Sequence, residues 1–434
     1  MKRDIYASLA KWKQSERRKP LILNGARQVG KTYALKRFGK DNYEKVAYLN
    51  FDRNEKLEGY FRETLDPQQL IKTLGIHLEM DIEPRNTLLI FDEVQECPRA
   101  LNSLKYFCEE ANEYHVASAG SLLGVKTAHE EGFPVGKVNF LHLFPLSFFE
   151  FLSALKAEKH RTYLEQIHTF EPIPAPLHDQ LIGLLKLYTY IGGMPEAVAE
   201  YARSEKLNTV REIQLEILSA YEKDFAKHAP PSEIMKITTV WNQVHRQLAK
   251  ENKKFIFSAI RASARGREYE EAIQWLADAG LIYKSHLIET PKFPLSAYAD
   301  SNAFKLFLLD VGLLGAQVGL SAHAVIDGDL LFTEFKGALT ENFVAQELKT
   351  ASHRELYYWT SGATAEVDFL VESDHGIYPL EVKAGVSQKK KSLLVYGERH
   401  PNAKLNRATL LNLKHDGKIH NYPLYLISRL WTFL

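Results

Sequence analysis

Three short runs of this chain carry side chains able to do chemistry. The first, Gly25-Ala26-Arg27-Gln28-Val29-Gly30-Lys31-Thr32, has the G-x-x-x-x-G-K-[ST] spacing of a loop that cradles phosphate. Its glycines let the backbone turn tightly and aim N–H groups at phosphate oxygens. Lys31 can reach the β/γ-phosphates, and the Thr32 hydroxyl can ligate Mg²⁺ at a helix N-terminus. The second run, Leu88-Leu89-Ile90-Phe91-Asp92-Glu93, is an apolar strand ending in two acids. At the C-terminal end of a strand beside the loop, Asp92 can hold the Mg²⁺ shell and Glu93 can orient or deprotonate the attacking water. A further apolar segment, His115-Val116-Ala117-Ser118, leads into Ala119-Gly120-Ser121. Ser121 is the preferred γ-phosphate sensor there, with Ser118 as competitor and ordinary strand-ending turn chemistry as the plain reading.

The third run lies in the last quarter. A helical segment carries Glu341, and it is followed by Glu366-Val367-Asp368-Phe369-Leu370-Val371 and by Leu380-Glu381-Val382-Lys383. Side chains repeat every two residues along a strand, so Glu381 and Lys383 share a face. Asp368 and Glu381 from neighbouring strands can share a hard divalent cation. Lys383 can position or activate a hydrolytic water, with Glu341 beside them on its helix. The plain alternative is a set of salt-bridged acids on a half-exposed sheet. Lys389-Lys390-Lys391 is either a grip on a phosphate backbone or a solvated charge run.

Composition sets bounds on partners and compartment. A chain of 434 residues has room for two to four domains with sizeable cores. With a net charge of +1 and 25% charged residues, a polyanion has to be met by local basic patches and not by a global field. Cys97 and Cys108 are the two cysteines, without metal-ligand spacing, which suits a reducing, cytoplasmic setting. The N-terminus has no continuous apolar stretch and no segment is long enough to span a bilayer, so neither secretion nor membrane insertion is expected.

Elements must bring these runs together. Strand candidates at 21–24, 46–51, 88–91 and 115–119 alternate with helical stretches, which predicts a mostly parallel sheet covered on both faces. The run 140–144 and the aromatic-rich Pro145-Leu146-Ser147-Phe148-Phe149-Glu150-Phe151 close that core or open a lid helix. Pro172, Pro174 and Pro176 mark a break. Residues 178–285 are largely helical by periodicity. Near their end an amphipathic helix (270–280) precedes strand-like 281–288, as in a helix-then-wing unit. Arg261, Arg265 and Arg267 there are a solvated face or a phosphate contact. The expected fold class is therefore α/β: a P-loop sheet domain over 1–155, a helical or winged-helix middle over 156–320, and a second α/β domain over 321–434.

Taken together, these residues resemble a prokaryotic family of AAA+-type ATPases joined to a C-terminal PD-(D/E)XK-like domain. The resemblance spans nearly the whole chain. It rests on Asn24 to Thr32, Phe91-Asp92-Glu93-Val94-Gln95, Pro145 to Phe151, Tyr190-Ile191-Gly192-Gly193-Met194-Pro195, Phe304 to Leu314, Glu341-Asn342-Phe343-Val344, Glu366 to Phe369 and Glu381-Val382-Lys383. It implies ATP binding at Gly25 to Thr32, Mg²⁺ coordination by Thr32 and Asp92, and water activation by Glu93. It also implies a restriction-endonuclease-like fold carrying Glu341, Asp368, Glu381 and Lys383 as a second divalent-cation site. One departure is that the chain has Gly136-Lys137 where Gly-Arg is common, and Ser118-Ala119-Gly120-Ser121 where Thr-Gly-Ser is usual; a bidentate fork is lost, so no arginine finger is assigned. The expected function is a Mg²⁺-dependent ATPase acting on DNA, branched DNA among the candidates, in a homo-oligomer. The rivals are a regulatory, partner-binding ATPase with a non-cleaving tail, and a small-molecule kinase, for which no acceptor site is evident.

Overall fold

The structure, a computed structural model, describes residues 1–52, 55–120, 133–249, 255–256, 266–326, 333–362, 365–385 and 390–434. The chain divides into two compact units. One comprises Lys2–Phe144 with Asp278–Gly280, and the other Pro145–Ala277 and Leu281–Leu434 with Met1.

The front unit is built on a five-stranded sheet of β1 (Leu21–Asn24), β2 (Lys45–Asn50), β3 (Thr87–Asp92), β4 (His115–Ala119) and β5 (Asn139–His142). Their order is β2-β3-β4-β1-β5, and every pairing is parallel. Strands covered on both faces read as continuous apolar runs and not as alternation, which is why β1 and β3 are so uniformly hydrophobic. All six residues of β3 are buried. β4 lies between β1 and β3, so the chain reverses direction across the sheet at the point where the Gly25–Thr32 loop leaves β1. Ligands of open parallel sheets settle in such a crevice beyond the strand C-termini. On one face Phe51, Phe61 and Phe91 meet edge to face at centroid distances of 5.5–5.9 Å and anchor β3 from below. Of the apolar run 140–144, Phe140 is exposed whereas Leu143 and Phe144 are buried.

The second unit holds an eight-stranded mixed sheet with the order β12-β13-β11-β10-β9-β8-β6-β7. Its strands are β6 (Ile282–Ile288), β7 (Ala299–Leu308), β8 (Leu356–Thr360), β9 (Glu366–Ser373), β10 (Gly376–Val382), β11 (Leu405–Thr409), β12 (Lys414–Asp416) and β13 (Ile419–Pro423). The strand expected to form the wing, β6, pairs antiparallel with β7 and parallel with β8, so this hairpin completes the same sheet that carries the C-terminal acids. Helices Ala175–Ile191, Leu207–His228 and Ile234–Leu248 make up the helical middle. The 20-residue helix Thr333–Ser352 packs against β7, β8 and β10. Residues 341–348 of it are buried without interruption, so the helix has no solvent face there. A helix enclosed on all sides has to satisfy its polar side chains internally.

It does so by tying distant segments together. Asn342 accepts from Leu308 N–H at 2.8 Å and donates to Leu308 C=O at 3.0 Å. Gln346 accepts from Val311 N–H at 2.9 Å, and Glu347 accepts from Phe148 N–H at 3.0 Å. Around them the buried Asp310 carboxylate accepts from Gly193 N–H at 2.5 Å and Leu313 N–H at 2.9 Å. Gly193 lies so close to Leu146 that a Cβ would sit 2.1 Å from the Leu146 carbonyl oxygen, which admits glycine alone. The segment Ser147 to Glu150 forms a reciprocal capping box that starts the helix Phe148–Ala154. The motifs around 145–151, 190–195, 304–314 and 341–347 therefore converge on one hydrogen-bonded nucleus. Their role there is architectural.

Candidate functional site

At the C-terminal edge of the front sheet, β1 ends in the phosphate-type loop. Gly25 has φ +149°, and a Cβ on it would meet the Leu143 carbonyl at 2.2 Å; Gly30, with φ +94°, starts the helix Lys31–Asn42. Both conformations let the loop N–H groups turn inward at the helix N-terminus. Lys31 is buried, with its ammonium donating to the carbonyls of Gly25 (2.9 Å) and Ala26 (2.8 Å). Burial pushes its pKa down to about 8, against the pull of Glu93 and Asp92. Thr32 Oγ1 donates to Asp92 at 3.0 Å, so these two groups from β3 and the helix share one point in space. An oxygen pair of this kind suits a hard cation such as Mg²⁺.

The geometry adds residues that sequence reasoning missed. Asn50 of β2 stands in register with Asp92 of β3, and Tyr48 lies two residues away on the same face. Tyr48 Oη donates to Asp92 Oδ2 at 2.7 Å, and Asn50 donates to the same oxygen at 3.4 Å. The Lys36 ammonium lies over the Tyr48 ring at 3.3 Å. The polar positions 48 and 50 of β2, among the apolar Val46, Ala47 and Leu49, were the available signal. Glu93 takes a left-handed conformation, φ 51°, and its Oε2 accepts from the Gln95 amide at 2.6 Å. A non-glycine residue held at positive φ beside a carboxylate pair is the kind of backbone outlier found at functional sites.

Other expectations fall elsewhere. Ser121 lies outside the described residues. Ser118, on β4 between Ile22 and Phe91, is buried, and its Oγ has no hydrogen-bond partner among the described residues. Lys137 forms an ion pair with Glu109 at 2.8 Å. Of the arginines at 261, 265 and 267, only Arg267 is described; it borders a cavity of about 590 Å³ together with Glu270 and Lys284. Lys389 is outside the described residues, and Lys390 pairs with Asp416 at 2.7 Å.

In the second unit Glu341 lies on the helix Thr333–Ser352, Asp368 on β9, Glu381 on β10 and Lys383 just beyond the end of β10. Glu341, Asp368 and Glu381 are all buried. Asp368 Oδ2 accepts from Val382 N–H at 2.7 Å, which ties β9 to β10 beyond the last antiparallel pair, Leu380 with Phe369. Lys383 donates to Glu381 Oε1, whereas Glu381 Oε2 is buried without a hydrogen-bond partner among the described residues. Burial and the neighbouring Asp368 push Glu381 up to about 8, against Lys383. Burial disfavours the Lys383 charge, but Asp368 and Glu381 outweigh it and hold its pKa above the ordinary lysine value. As these side chains stand, no group of three or more His, Cys, Asp or Glu among the described residues is gathered closely enough to hold a metal ion. Sequence reasoning also missed a fully buried cation here: Lys305 of β7 pairs with Glu366 at 2.5 Å.

Comparisons with known proteins match three separate stretches of the chain. Residues 17–152 match a family described as an AAA domain. Residues 182–324 and 336–423 match two separate families described as domains of unknown function. No curated protein matches the chain. Among solved structures, the Walker-type ATPase of Pyrococcus abyssi is similar at 14% identity, over 72% of this chain and 94% of that one, with a TM-score of 0.45. The ORC1 protein of Aeropyrum pernix in complex with DNA shares 14% identity over 79% and 92% of the two chains, with a TM-score of 0.28. Cdc6p of Pyrobaculum aerophilum shares 13% over 78% and 92%, with a TM-score of 0.26. No described helix is long and apolar enough to cross a membrane. With the phosphate-type loop after β1, the paired acids at the end of β3, a strand between them and a match to an AAA domain over 17–152, the front of this chain has the fold of a P-loop NTPase.

Proposed function

We propose that the protein is a Mg²⁺-dependent, ATP-hydrolysing machine of the cytoplasm that acts on DNA, branched DNA included, as a homo-oligomer with a nuclease-like tail. In this reading Gly25 to Thr32 hold the triphosphate, Thr32 and Asp92 hold Mg²⁺, and Glu93 activates water, with Ser121 as sensor. Glu341, Asp368 and Glu381 take a second divalent cation beside Lys383. The observation that carries the ATPase part is the Thr32–Asp92 contact at 3.0 Å, next to a buried Lys31 inside its own loop. ATP can bias the arrangement of such a machine only by binding one state more tightly, and contacts to the γ-phosphate are the available source of that difference.

The test is direct. Lys31→Ala should abolish ATP binding. Glu93→Gln should bind ATP yet lower turnover by about 10²–10⁴-fold, the usual worth of a general base. Supercoiled, linear and four-way-junction DNA, incubated with Mg²⁺ or Mn²⁺, should be cut by the wild type and not by Asp368→Asn. DNA left intact by both removes the nuclease half and leaves the ATPase half standing.

A second reading has its own support. It makes the tail a non-cleaving DNA- or protein-docking module of a regulatory ATPase. Lys305 and Lys383 already occupy the carboxylate cluster, and no three acids among the described residues converge on one point. Retained DNA or protein binding in an Asp368→Asn variant, with no cleavage by the wild type, would favour it.

A further inference from the structure

Arg3 stands just ahead of the first helix of the front unit, Ile5–Gln14, and is only 6% exposed. Its guanidinium donates to the Val29 carbonyl at 3.1 Å and to the Phe144 carbonyl at 2.7 Å, across 26 and 141 positions of chain. Val29 belongs to the phosphate-type loop, and Phe144 follows shortly after β5. The same segment grips the other end of the loop directly. Leu143 N–H donates to the Asn24 carbonyl at 2.8 Å, and a Cβ on Gly25 would sit 2.2 Å from the Leu143 carbonyl oxygen. Backbone contact therefore holds the Asn24–Gly25 end of the loop, and Arg3 holds the Val29–Gly30 end. A guanidinium is costly to bury, but its planar fork of fixed donors can hold two carbonyls at once.

What Arg3 fixes is a peptide plane. The Val29–Gly30 peptide is trans, so its carbonyl and its N–H point in opposite directions. By holding the Val29 carbonyl, the guanidinium turns the Gly30 N–H away from itself. That N–H stands at the start of the helix Lys31–Asn42 and has no hydrogen-bond partner among the described residues. Leading donors of a helix have none within the helix, which leaves them for an anion. Gly30 sits at φ +94°, and glycine crosses between positive and negative φ at little cost. Without an outside tether, half a turn of this peptide would be cheap, and it would offer a phosphate a carbonyl oxygen in place of a donor. We propose that Arg3 is a positioning residue that keeps the Val29–Gly30 peptide in the anion-binding orientation, its N–H offered to a polyphosphate. The inference rests on reading Gly25 to Thr32 as the triphosphate loop, and it adds to that loop a residue from outside the motif.

The experiment measures binding of ADP and of inorganic tripolyphosphate to the full chain by calorimetric titration, together with amide hydrogen exchange in the loop. The parent should bind both, and each ligand should slow exchange over Val29 to Thr32. Arg3→Met keeps an apolar stem and removes the fork. It should weaken both ligands by the same factor, about 10- to 100-fold, the worth of a hydrogen bond made by a charged group. The slowing of loop exchange by ligand should shrink with it. Arg3→Lys keeps the charge but not the fork, and should fall between the two. Unchanged affinity for both ligands in Arg3→Met overturns the proposal. So does weaker ADP binding with tripolyphosphate unaffected, which would put Arg3 at the nucleoside and not at the phosphate cradle. Urea unfolding of the ligand-free chains separates a structural role. If both variants lose stability and exchange quickens throughout the front unit, Arg3 merely holds the fold and the proposal falls. A parent that binds neither ligand overturns the triphosphate reading of the loop itself, and the Arg3 role with it.

Discussion

At the residue scale, the nucleotide loop shows how a motif residue acquires its properties from its surroundings. Lys31 is a common surface lysine by type, but burial holds its pKa near 8. A lysine depressed from 10.5 loses charge as pH rises through about 8, well before an exposed lysine would. The phosphates of ATP favour its charged form, so ATP binding should take up a proton between about pH 8 and pH 10, and affinity should fall as pH rises above about 8. Calorimetric titration with ATP in buffers of different ionisation enthalpy measures this uptake. An affinity constant from about pH 7 to pH 9.5 would show that Lys31 stays charged in the empty loop. Asp92 makes the complementary point. Three donors, from Thr32, Tyr48 and Asn50, meet on one carboxylate, and only Thr32 belongs to a recognisable pattern.

At the element scale, the strongest constraint lies away from the chemistry. Gly193 and Leu146 approach backbone to backbone, and the Leu146 N–H donates to the Gly193 carbonyl at 2.7 Å. A methyl group at position 193 cannot be accommodated by turning a side chain, because its neighbour is a carbonyl. Gly193→Ala should destabilise the second unit by about 3 kcal/mol, the upper range for overpacking. Urea denaturation checks this, and a loss below about 1 kcal/mol would mean that the 145–147 segment relaxes freely. The capping box at Ser147 is a milder device of the same nucleus, and Ser147→Ala should cost about 1 kcal/mol by the same measurement. Both positions lie in motifs that invite a functional reading from sequence. In the structure, the residues around them serve to seat the helix that carries Glu341.

At the scale of the whole molecule, a net charge of +1 makes any DNA contact a local matter. Several basic groups are already engaged internally, among them Lys137, Lys305, Lys383 and Lys390. If DNA binds as proposed, log affinity should fall linearly with log salt, with a slope near −0.9 for each phosphate neutralised. Fluorescence anisotropy of a labelled junction at several salt concentrations measures it. A flat dependence would exclude a phosphate-led mode.

The parallel sheet, its strands and the loop were legible in the sequence because each is written locally. An apolar run marks a strand covered on both faces, glycines mark positions that no side chain can enter, and a terminal acid marks the sheet edge. The helix, strand and strand of the tail were legible for the same reason. The β6–β7 hairpin was not placed, since local periodicity finds a strand but not its partner, and its pairing with β8 joins residues about 70 positions apart. Tyr48, Gln95 and Lys305 were missed because what distinguishes them is a neighbour supplied by another element.

By itself, then, the sequence determined an α/β chain with a triphosphate-type loop, its acidic partner strand and a later array of acids and lysine. These follow from short-range spacing and from which side chains tolerate burial. Tertiary structure alone decided that Asp92 carries three donors, that four separate motifs meet around Asp310, and that Lys305 pairs with Glu366 inside the acidic cluster. Each of these depends on burial and on distances between groups far apart in the chain, and no local pattern encodes such distances.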